Sequence, residues 1–366
     1  MHEDPEDTDA RVYHAQALYS LGKTQDAERE FRKILEEHPG ESSVWFALME
    51  LLTGQGRKQE ALEAAQAALE KIVVTAKARG YLGLRLLDLG RNEEALTECE
   101  RAIDLDPKDA FAHFLRGTVL DHLGRPEEAL QALETATANH PNLKTLQEIH
   151  FQQAKTLLSL GRMDEALPHV RLALVLSPGE PNYLSLLGEC LWDAGKLKEA
   201  KGAFEEALRA DKGMPFPRFG LGLVLLEQGY LKEGRRECAE ALRAKPGLLA
   251  SFLQRALDEK ANGQSKKALR CYDLILAIRP EDVEALVNRG LILGKLGRPD
   301  EALKAFEQAS RLDPKNGVPQ FFRAVSLRDL KRPEEAQKAY REALTLGLPP
   351  ELASQCRKAL AQPPAP

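Results

Sequence analysis

The chain has 366 residues, of which 43% are hydrophobic, 29% are charged and only 6% are aromatic, and its net charge is −5. A chain of this length exceeds one hydrophobic core, so it must divide into domains or grow as a one-dimensional stack. No apolar run approaches the roughly 18 residues that a membrane-spanning helix needs, which argues against membrane insertion.

The start of the chain and its cysteines bear on the compartment. The first nine residues, MHEDPEDTD, are acidic, whereas a secretory leader is basic and then apolar. The five cysteines are widely spaced, with no C-x-x-C pair and no histidine at metal-ligand spacing. We therefore expect no disulfide framework, no metal site and no cofactor. We expect a soluble cytoplasmic protein, or a periplasmic one whose leader has been removed.

Charge is distributed unevenly along the chain. Residues 1–180 contain 20 Lys and Arg against 31 Asp and Glu, whereas residues 181–366 contain 31 against 25. The first part is therefore acidic and the second part basic. Most of this charge is expected on the solvated faces of helices, although such polarity can also orient a partner or a second copy of the chain.

A repeating pattern follows an acidic lead-in at residues 1–7. From Thr8 onward a glycine recurs every 34 residues, with a single interval of 37, and Lys331 takes the glycine position in a tenth repeat. The glycines are Gly22, Gly56, Gly90, Gly124, Gly161, Gly195, Gly229, Gly263 and Gly297. An alanine lies five residues after each of these glycines, except after Gly229, where Gly234 takes its place. Most repeats end at a proline.

Residues 283–314 show the physical reason for this pattern. Leu286, Gly290 and Leu293 lie on one stripe of a first helix, which Gly297 ends because glycine accepts the left-handed backbone conformation. A second helix follows, with Pro and carboxylates in its first turn. Ala302 is small because the two helices cross there, and a larger side chain would overpack the contact by roughly 1–3 kcal/mol.

These positions together resemble the tetratricopeptide repeat, which pairs two helices in 34 residues with an alanine at their crossing and a closing proline. The resemblance covers residues 8–350 as about ten repeats. It implies an all-α fold, an α-α superhelical solenoid of tandem helix-turn-helix repeats. The predicted organisation is a lead-in at 1–7, repeats one to four at 8–143, an insertion at 144–146, repeats five to ten at 147–350, a capping helix at 351–361 and a tail at 362–366.

Two places depart from the regular pattern. The interval of 37 residues places three extra residues at 144–146, which can add a helical turn or lengthen a loop; we expect a loop. In the seventh repeat, Gly220 and Gly222 lie inside the first helix and Gly234 replaces the crossing alanine. Glycine inside a helix costs about 1 kcal/mol relative to alanine. This region is therefore open to interpretation as a hinge, a contact surface or simple drift of the repeat.

The resemblance also implies where a partner binds. In the family, the first helices of successive repeats line a concave groove that accepts an extended peptide or a helix. Applied to this chain, the groove would present mostly aromatic side chains, and contiguous apolar surface of this kind marks recognition sites. The predicted groove residues are Phe46, Tyr81, Leu84, Phe111, Phe114, Phe151, Trp192, Phe216, Phe219 and Phe321.

Other functions find less support in the sequence. The Lys, Arg and Asn constellation with which co-chaperones grip a terminal carboxylate is absent, and so is the asparagine ladder of O-linked N-acetylglucosamine transferases. No phosphate loop, metal-binding helix or nucleophile elbow occurs, so no catalytic residue is predicted. Acidic neighbours dilute the basic stretch at residues 232–245, which argues against nucleic-acid binding.

We therefore predict a non-catalytic scaffold or adaptor that binds a protein or peptide partner in the groove. One alternative is a structural component that self-associates through its acidic and basic parts. A second alternative is the recognition arm of a longer enzyme.

Overall fold

The computed structural model describes residues 5–361, with side chains from Thr8 onward. Residues 1–4 of the predicted lead-in and the whole predicted tail, residues 362–366, lie outside the described residues. The described residues form 21 α-helices and no strand, which confirms the all-α prediction. The helices are α1 Pro5–Ser20, α2 Thr24–Glu37, α3 Ser42–Gly54, α4 Lys58–Lys71, α5 Ala76–Asp88, α6 Asn92–Leu105, α7 Ala110–His122, α8 Pro126–Ala138, α9 Leu143–Ser159, α10 Met163–Leu176, α11 Pro181–Asp193, α12 Leu197–Ala210, α13 Pro215–Glu227, α14 Leu231–Ala244, α15 Leu248–Ala261, α16 Ser265–Ile278, α17 Val283–Lys295, α18 Pro299–Leu312, α19 Gly317–Asp329, α20 Pro333–Leu346 and α21 Pro350–Ala361.

The chain divides into two compact units between Ala194 and Gly195, within the sixth predicted repeat. The first unit contains α1–α11 and the second contains α12–α21. Within each unit, consecutive helices pack against one another. In the first unit, contacts also join α1 to α3, α5 to α7, α7 to α9 and α9 to α11. Within the first unit, first helices of neighbouring repeats therefore lie side by side and form a common face.

The glycine that ends each first helix adopts a left-handed backbone. All nine repeat glycines have positive φ, from 71° at Gly124 and Gly297 to 88° at Gly229. Lys331 has a φ of 57° at the same position of the tenth repeat. Residues other than glycine are strained in this left-handed backbone conformation. The conformation of Lys331 therefore shows that the repeat geometry is imposed even where the favoured residue is missing.

The two helices of each repeat cross at the predicted alanine. Ala27, Ala61, Ala95 and Ala129 are fully buried, and the equivalent alanines of later repeats are buried in the same way. An arginine at the start of many second helices also binds the glutamate three residues later, as Arg91 Nη2 does with Glu94 Oε2 at 2.6 Å. These pairs are exposed and each contributes at most about 1 kcal/mol. The buried alanine contacts are therefore the main source of register within a repeat.

The insertion at 144–146 lengthens a helix, which differs from the loop that we expected. Helix α9 has 17 residues, whereas α7 has 13. Asn142 caps α9, because its side-chain oxygen accepts a hydrogen bond from the Thr145 backbone nitrogen at 2.9 Å. This cap starts the helix at Leu143, so the three extra residues join it.

Glycines in the seventh repeat allow close packing of two helices. A Cβ atom added to Gly222 of α13 would lie 2.5 Å from Cys238 Sγ and 2.9 Å from the Cys238 backbone nitrogen of α14. A Cβ atom added to Gly234 would lie 2.9 Å from the Gly222 carbonyl oxygen. Packing therefore explains both glycines. Because these two glycines have no side chain, α13 and α14 can pack closely against each other.

We predict that Gly222→Ala lowers the free energy of unfolding of the chain by about 1–3 kcal/mol, because the added methyl group meets backbone that cannot move aside. Gly202 of α12 is the matched control, since a Cβ atom there meets nothing within 4 Å. Gly202→Ala should stabilise the chain by about 1 kcal/mol through helix propensity. Urea unfolding followed by circular dichroism measures both changes, and equal effects of the two variants would contradict the packing argument.

Candidate partner-binding face

Four aromatic side chains form a continuous row on the first helices α3, α5 and α7. The ring centroids of Phe46 and Tyr81 lie 4.4 Å apart in a stacked arrangement. The Tyr81 and Phe111 rings lie 5.8 Å apart, and the Phe111 and Phe114 rings lie 6.4 Å apart. All four side chains are half-buried, with their inner parts packed on the core of the first unit. Partly exposed rings are thus held in fixed positions across three repeats. We call these four residues the aromatic row.

Other groups extend this surface along the first unit. Phe151 of α9 contacts Tyr183 of α11, with ring centroids 4.8 Å apart. Leu84 is half-buried and packs against the same core as the aromatic row. Lys77 Nζ lies 4.9 Å from the centroid of Phe46, and Lys155 Nζ lies 5.8 Å from that of Phe151. These distances suit cation–π contacts, so the rings of this face already attract cations.

Three carboxylates act on the tyrosines of this face. Burial raises the pKa of the Tyr81 hydroxyl, and the charges of Glu50 and Glu148 raise it further. Burial together with the charges of Glu148 and Glu180 raises the pKa of Tyr183 to about 12. Glu148 of α9 therefore stands close enough to both tyrosines for its charge to influence them.

Glu148 itself is held in an unfavourable environment for a charged carboxylate. Burial raises the pKa of its carboxyl above the usual value, and the charge of Glu50 adds to the increase, while Lys144 opposes it. Within residues 8–361, the Glu148 side chain makes no hydrogen bond and no ion pair. A half-buried carboxylate without a protein partner has lost part of its hydration without gaining a replacement.

Three predicted groove residues are buried and cannot contact a partner directly. Trp192 is 4% exposed, Phe219 6% and Phe321 3%. Phe219 packs edge-on against Phe252 at 5.9 Å, and Phe321 packs against Tyr340 at 5.8 Å. The prediction of accessibility was wrong for these three residues, and neighbouring helices cover Phe219 and Phe321 at positions that the repeat pattern alone leaves open.

The seven remaining predicted residues keep exposed surface. Six of them belong to the first unit: Phe46, Tyr81, Leu84, Phe111, Phe114 and Phe151. The seventh, Phe216 in the second unit, is 54% exposed, and Lys245 Nζ lies 4.1 Å from its ring centroid. Six of the seven predicted residues in the first unit therefore keep exposed surface, and Trp192 is the exception.

Sequence reasoning missed Glu50, Glu148 and Tyr183. A signal for Glu148 was available, because it occupies the same repeat position as Lys77 and Phe111, once the three inserted residues are counted. The groove was predicted from aromatic and aliphatic residues, so the charged residues at the same repeat position were not included.

On α15, a first helix of the second unit, one half-buried side chain carries charge of the opposite sign. Lys260 Nζ of α15 donates a hydrogen bond to Asn288 Oδ1 of α17 at 2.5 Å. Burial lowers the pKa of Lys260, and the nearby charge of Lys295 lowers it further. The polarity seen in the sequence thus extends to half-buried groups on the first helices of both units.

Two histidines of the first unit lie close together, and the cysteines are buried. His150 Nδ1 lies 3.2 Å from His169 Nδ1 and 3.0 Å from Gln153 Oε1. Burial and the charge of His150 lower the pKa of His169. All five cysteines are buried, and burial raises the pKa of Cys99, Cys190 and Cys238 to about 12. Over the described part of the chain, no three His, Cys, Asp or Glu side chains are grouped as metal ligands.

We predict that Glu148→Gln raises the melting temperature of the chain at pH 7, because the amide needs less hydration than the carboxylate. Since the folded state raises the pKa of Glu148, its contribution to stability is present below the ordinary value of 4.5 and is lost as the pH rises through the folded value. The difference between variant and wild type should therefore shrink as the pH falls toward about 4. Circular dichroism melts between pH 4 and 7.5 measure this difference.

The exposed Glu70 of α4 provides the control for that measurement. Glu70→Gln makes the same change of charge and should leave the melting temperature unaltered. A lower melting temperature for Glu148→Gln at pH 7 would show that the carboxylate has stabilising contacts and would contradict the prediction.

Comparison with solved structures gives several distant neighbours. A MamA fragment from residue 41 onward, from Desulfovibrio magneticus RS-1, is 19% identical, with 47% of this chain and 96% of that chain covered and a TM-score of 0.41. PilF of Pseudomonas aeruginosa is 21% identical, with coverage of 68% and 97% and a TM-score of 0.41. A tetratricopeptide repeat protein from Parabacteroides merdae ATCC 43184 is 14% identical, with coverage of 69% and 99% and a TM-score of 0.40. Comparison with curated proteins gives no match.

None of the helices within residues 5–361 has the length and apolar character to cross a membrane. Family models described as tetratricopeptide repeat match residues 14–72, 82–143, 151–215, 185–248, 260–327 and 320–346. One of these models alone matches more than half of the chain. The repeat glycines, the crossing alanines and these matches agree, and the chain belongs to the tetratricopeptide repeat family.

Proposed function

We propose that this protein is a binding scaffold that holds a segment of a partner protein on the first-helix face of its first unit. Tetratricopeptide repeats generally mediate protein–protein interactions, and models of this family match ranges of this chain between residues 14 and 346. The observation that carries the proposal is the aromatic row, in which four neighbouring rings remain half-exposed on three adjacent helices.

The energetics of the aromatic row favour binding. Aromatic side chains dominate the energy of protein interfaces, because each ring buries a large apolar area while losing little conformational freedom. Here the rings are already ordered by their contacts with one another and with the core. A partner would therefore gain apolar contacts without having to order the receiving side chains.

The proposal places no chemistry on this face. The described side chains that meet there are aromatic rings, aliphatic groups, lysines and carboxylates without a grouped nucleophile and base. Scaffold or adaptor activity is thus the function that the face supports best, and a cytoplasmic location is part of this proposal.

We predict that the double substitution Phe46→Ala with Phe111→Ala weakens partner binding at least about tenfold, because it removes two of the four rings. Tyr230→Ala is the matched control, since Tyr230 is an exposed aromatic residue in the turn before α14 of the second unit. Tagged wild-type and variant chains are used to capture proteins from the native host, and the affinity of each recovered partner is measured by calorimetry.

The expected result is a partner that the wild type and Tyr230→Ala retain and that the double variant loses, with helicity preserved in all three proteins. Recovery of the same proteins with the same affinities by all three would contradict the proposal.

A second candidate function is self-association, which the opposite charges of the two halves favour. Residues 1–180 carry a net charge of −11 and residues 181–366 a net charge of +6, by the counts given above. We predict that, if this function holds, light scattering detects oligomers at about 20 mM salt that dissociate above about 0.3 M, because added ions screen the attraction. A monomer under both conditions would exclude it.

A further inference from the structure

An unpaired carboxylate lies beside the aromatic row of the first unit, because Glu148 of α9 occupies the repeat position that Phe111 occupies on the adjacent helix α7. Glu148 belongs to α9, and its charge acts on Tyr81 of α5 and on Tyr183 of α11. It is also affected by the charge of Glu50 on α3. Glu148 therefore adds a carboxylate to the first-helix face that carries the aromatic row and the Phe151–Tyr183 pair, because α9 contacts both α7 and α11.

Internal contacts leave this charge unsatisfied. Lys144 is the cation that acts on Glu148, and it lies one turn away on the same helix without forming an ion pair. Lys77 and Lys155 instead lie over the rings of Phe46 and Phe151. Because a half-buried carboxylate without a partner lowers stability, its presence on a binding face points to a group that is supplied from outside.

The chemistry of that group follows from its surroundings. A carboxylate calls for a cation, and neighbouring ring faces attract the same cation through their negative quadrupoles. An arginine or lysine side chain satisfies both requirements, since its head can pair with the carboxylate while its stem or guanidinium plane packs on a ring. The excess of acidic residues in 1–180 also draws a basic segment toward this unit.

We propose that the partner segment presents an arginine or lysine side chain to Glu148, with apolar side chains on either side that pack on the aromatic row. This inference rests on the proposed function and adds the chemistry of the partner to it. Glu148 supplies specificity by pairing with the basic group, and the rings supply most of the apolar contact. In the second unit, the half-buried group on α15 is instead a cation, Lys260, which already donates a hydrogen bond to Asn288.

The experiment uses a random dodecapeptide library displayed on phage and selected on the purified full chain. Peptides that the Phe46→Ala, Phe111→Ala double variant no longer binds are synthesised, and their affinities are measured by fluorescence anisotropy. We expect these peptides to contain an arginine or lysine flanked by apolar residues. Glu148→Gln should weaken them about tenfold or more, because a charge-assisted contact is lost.

Two controls separate the pairing from effects on folding or on total charge. Glu70→Gln makes the same change of charge on α4 and should leave the affinities unchanged. Replacement of the basic peptide residue by glutamine should weaken binding to the wild type but weaken it little further in Glu148→Gln, since the two groups act as a pair. The melting curves of both variants verify that the chain is folded.

The outcomes distinguish this inference from the proposed function. Peptides whose affinity depends on the aromatic row but is unchanged in Glu148→Gln would overturn the inference, while the proposed function would still hold. A selection that yields no peptide dependent on the aromatic row would count against both. A dimer that Glu148→Gln dissociates would show that the occupant is a second copy of the chain, and would also overturn the inference.

Discussion

The close crossing of two helices at a buried small residue is the constraint on which the rest of the structure depends. A fully buried alanine, such as Ala61 or Ala95, sets the distance between the helices of a repeat. A residue with positive φ, such as Gly56 or Gly90, then returns the chain in the same direction each time. Because both features recur at a fixed interval, equivalent positions of successive first helices fall beside one another. The aromatic row is a direct consequence, since Phe46, Tyr81 and Phe111 could not otherwise meet.

Stability and recognition draw on different parts of the same helices. The inner parts of the first helices pack on second helices, and the glycines at 222 and 234 show how tightly two helices can approach where side chains are absent. The outer parts of the first unit carry rings that are only half-buried and a carboxylate that lacks a counter-ion. Such features weaken a folded protein slightly and strengthen its interaction with a complementary surface. The first-helix face of the first unit has both features, which is consistent with a small loss of folding stability and a gain in affinity for a partner.

The fold was predictable from the sequence to a greater extent than the site. Each repeat position has a local physical reason, so the glycines and alanines identified the helical pairs and their register. The extension of α9 was not predictable, because the residues after Asn142 can form a loop or a helix and the Asn142 cap decides between them. The burial of Trp192 and Phe219 was not predictable either, since it depends on which neighbouring helix covers each position. Glu148 occupied a recognisable repeat position, but its lack of a partner became visible only in three dimensions.

The central claim is that the rings of the aromatic row are accessible in the free chain and covered by a bound partner. Hydroxyl-radical footprinting with mass spectrometry measures this for each side chain, with and without a selected peptide that depends on the row. The account predicts that Phe46, Tyr81 and Phe111 are oxidised in the free chain and protected in the complex, whereas Trp192 and Phe219 are unreactive in both. Oxidation of the row that is unchanged by the peptide, or rapid oxidation of Trp192 in the folded chain, would contradict it.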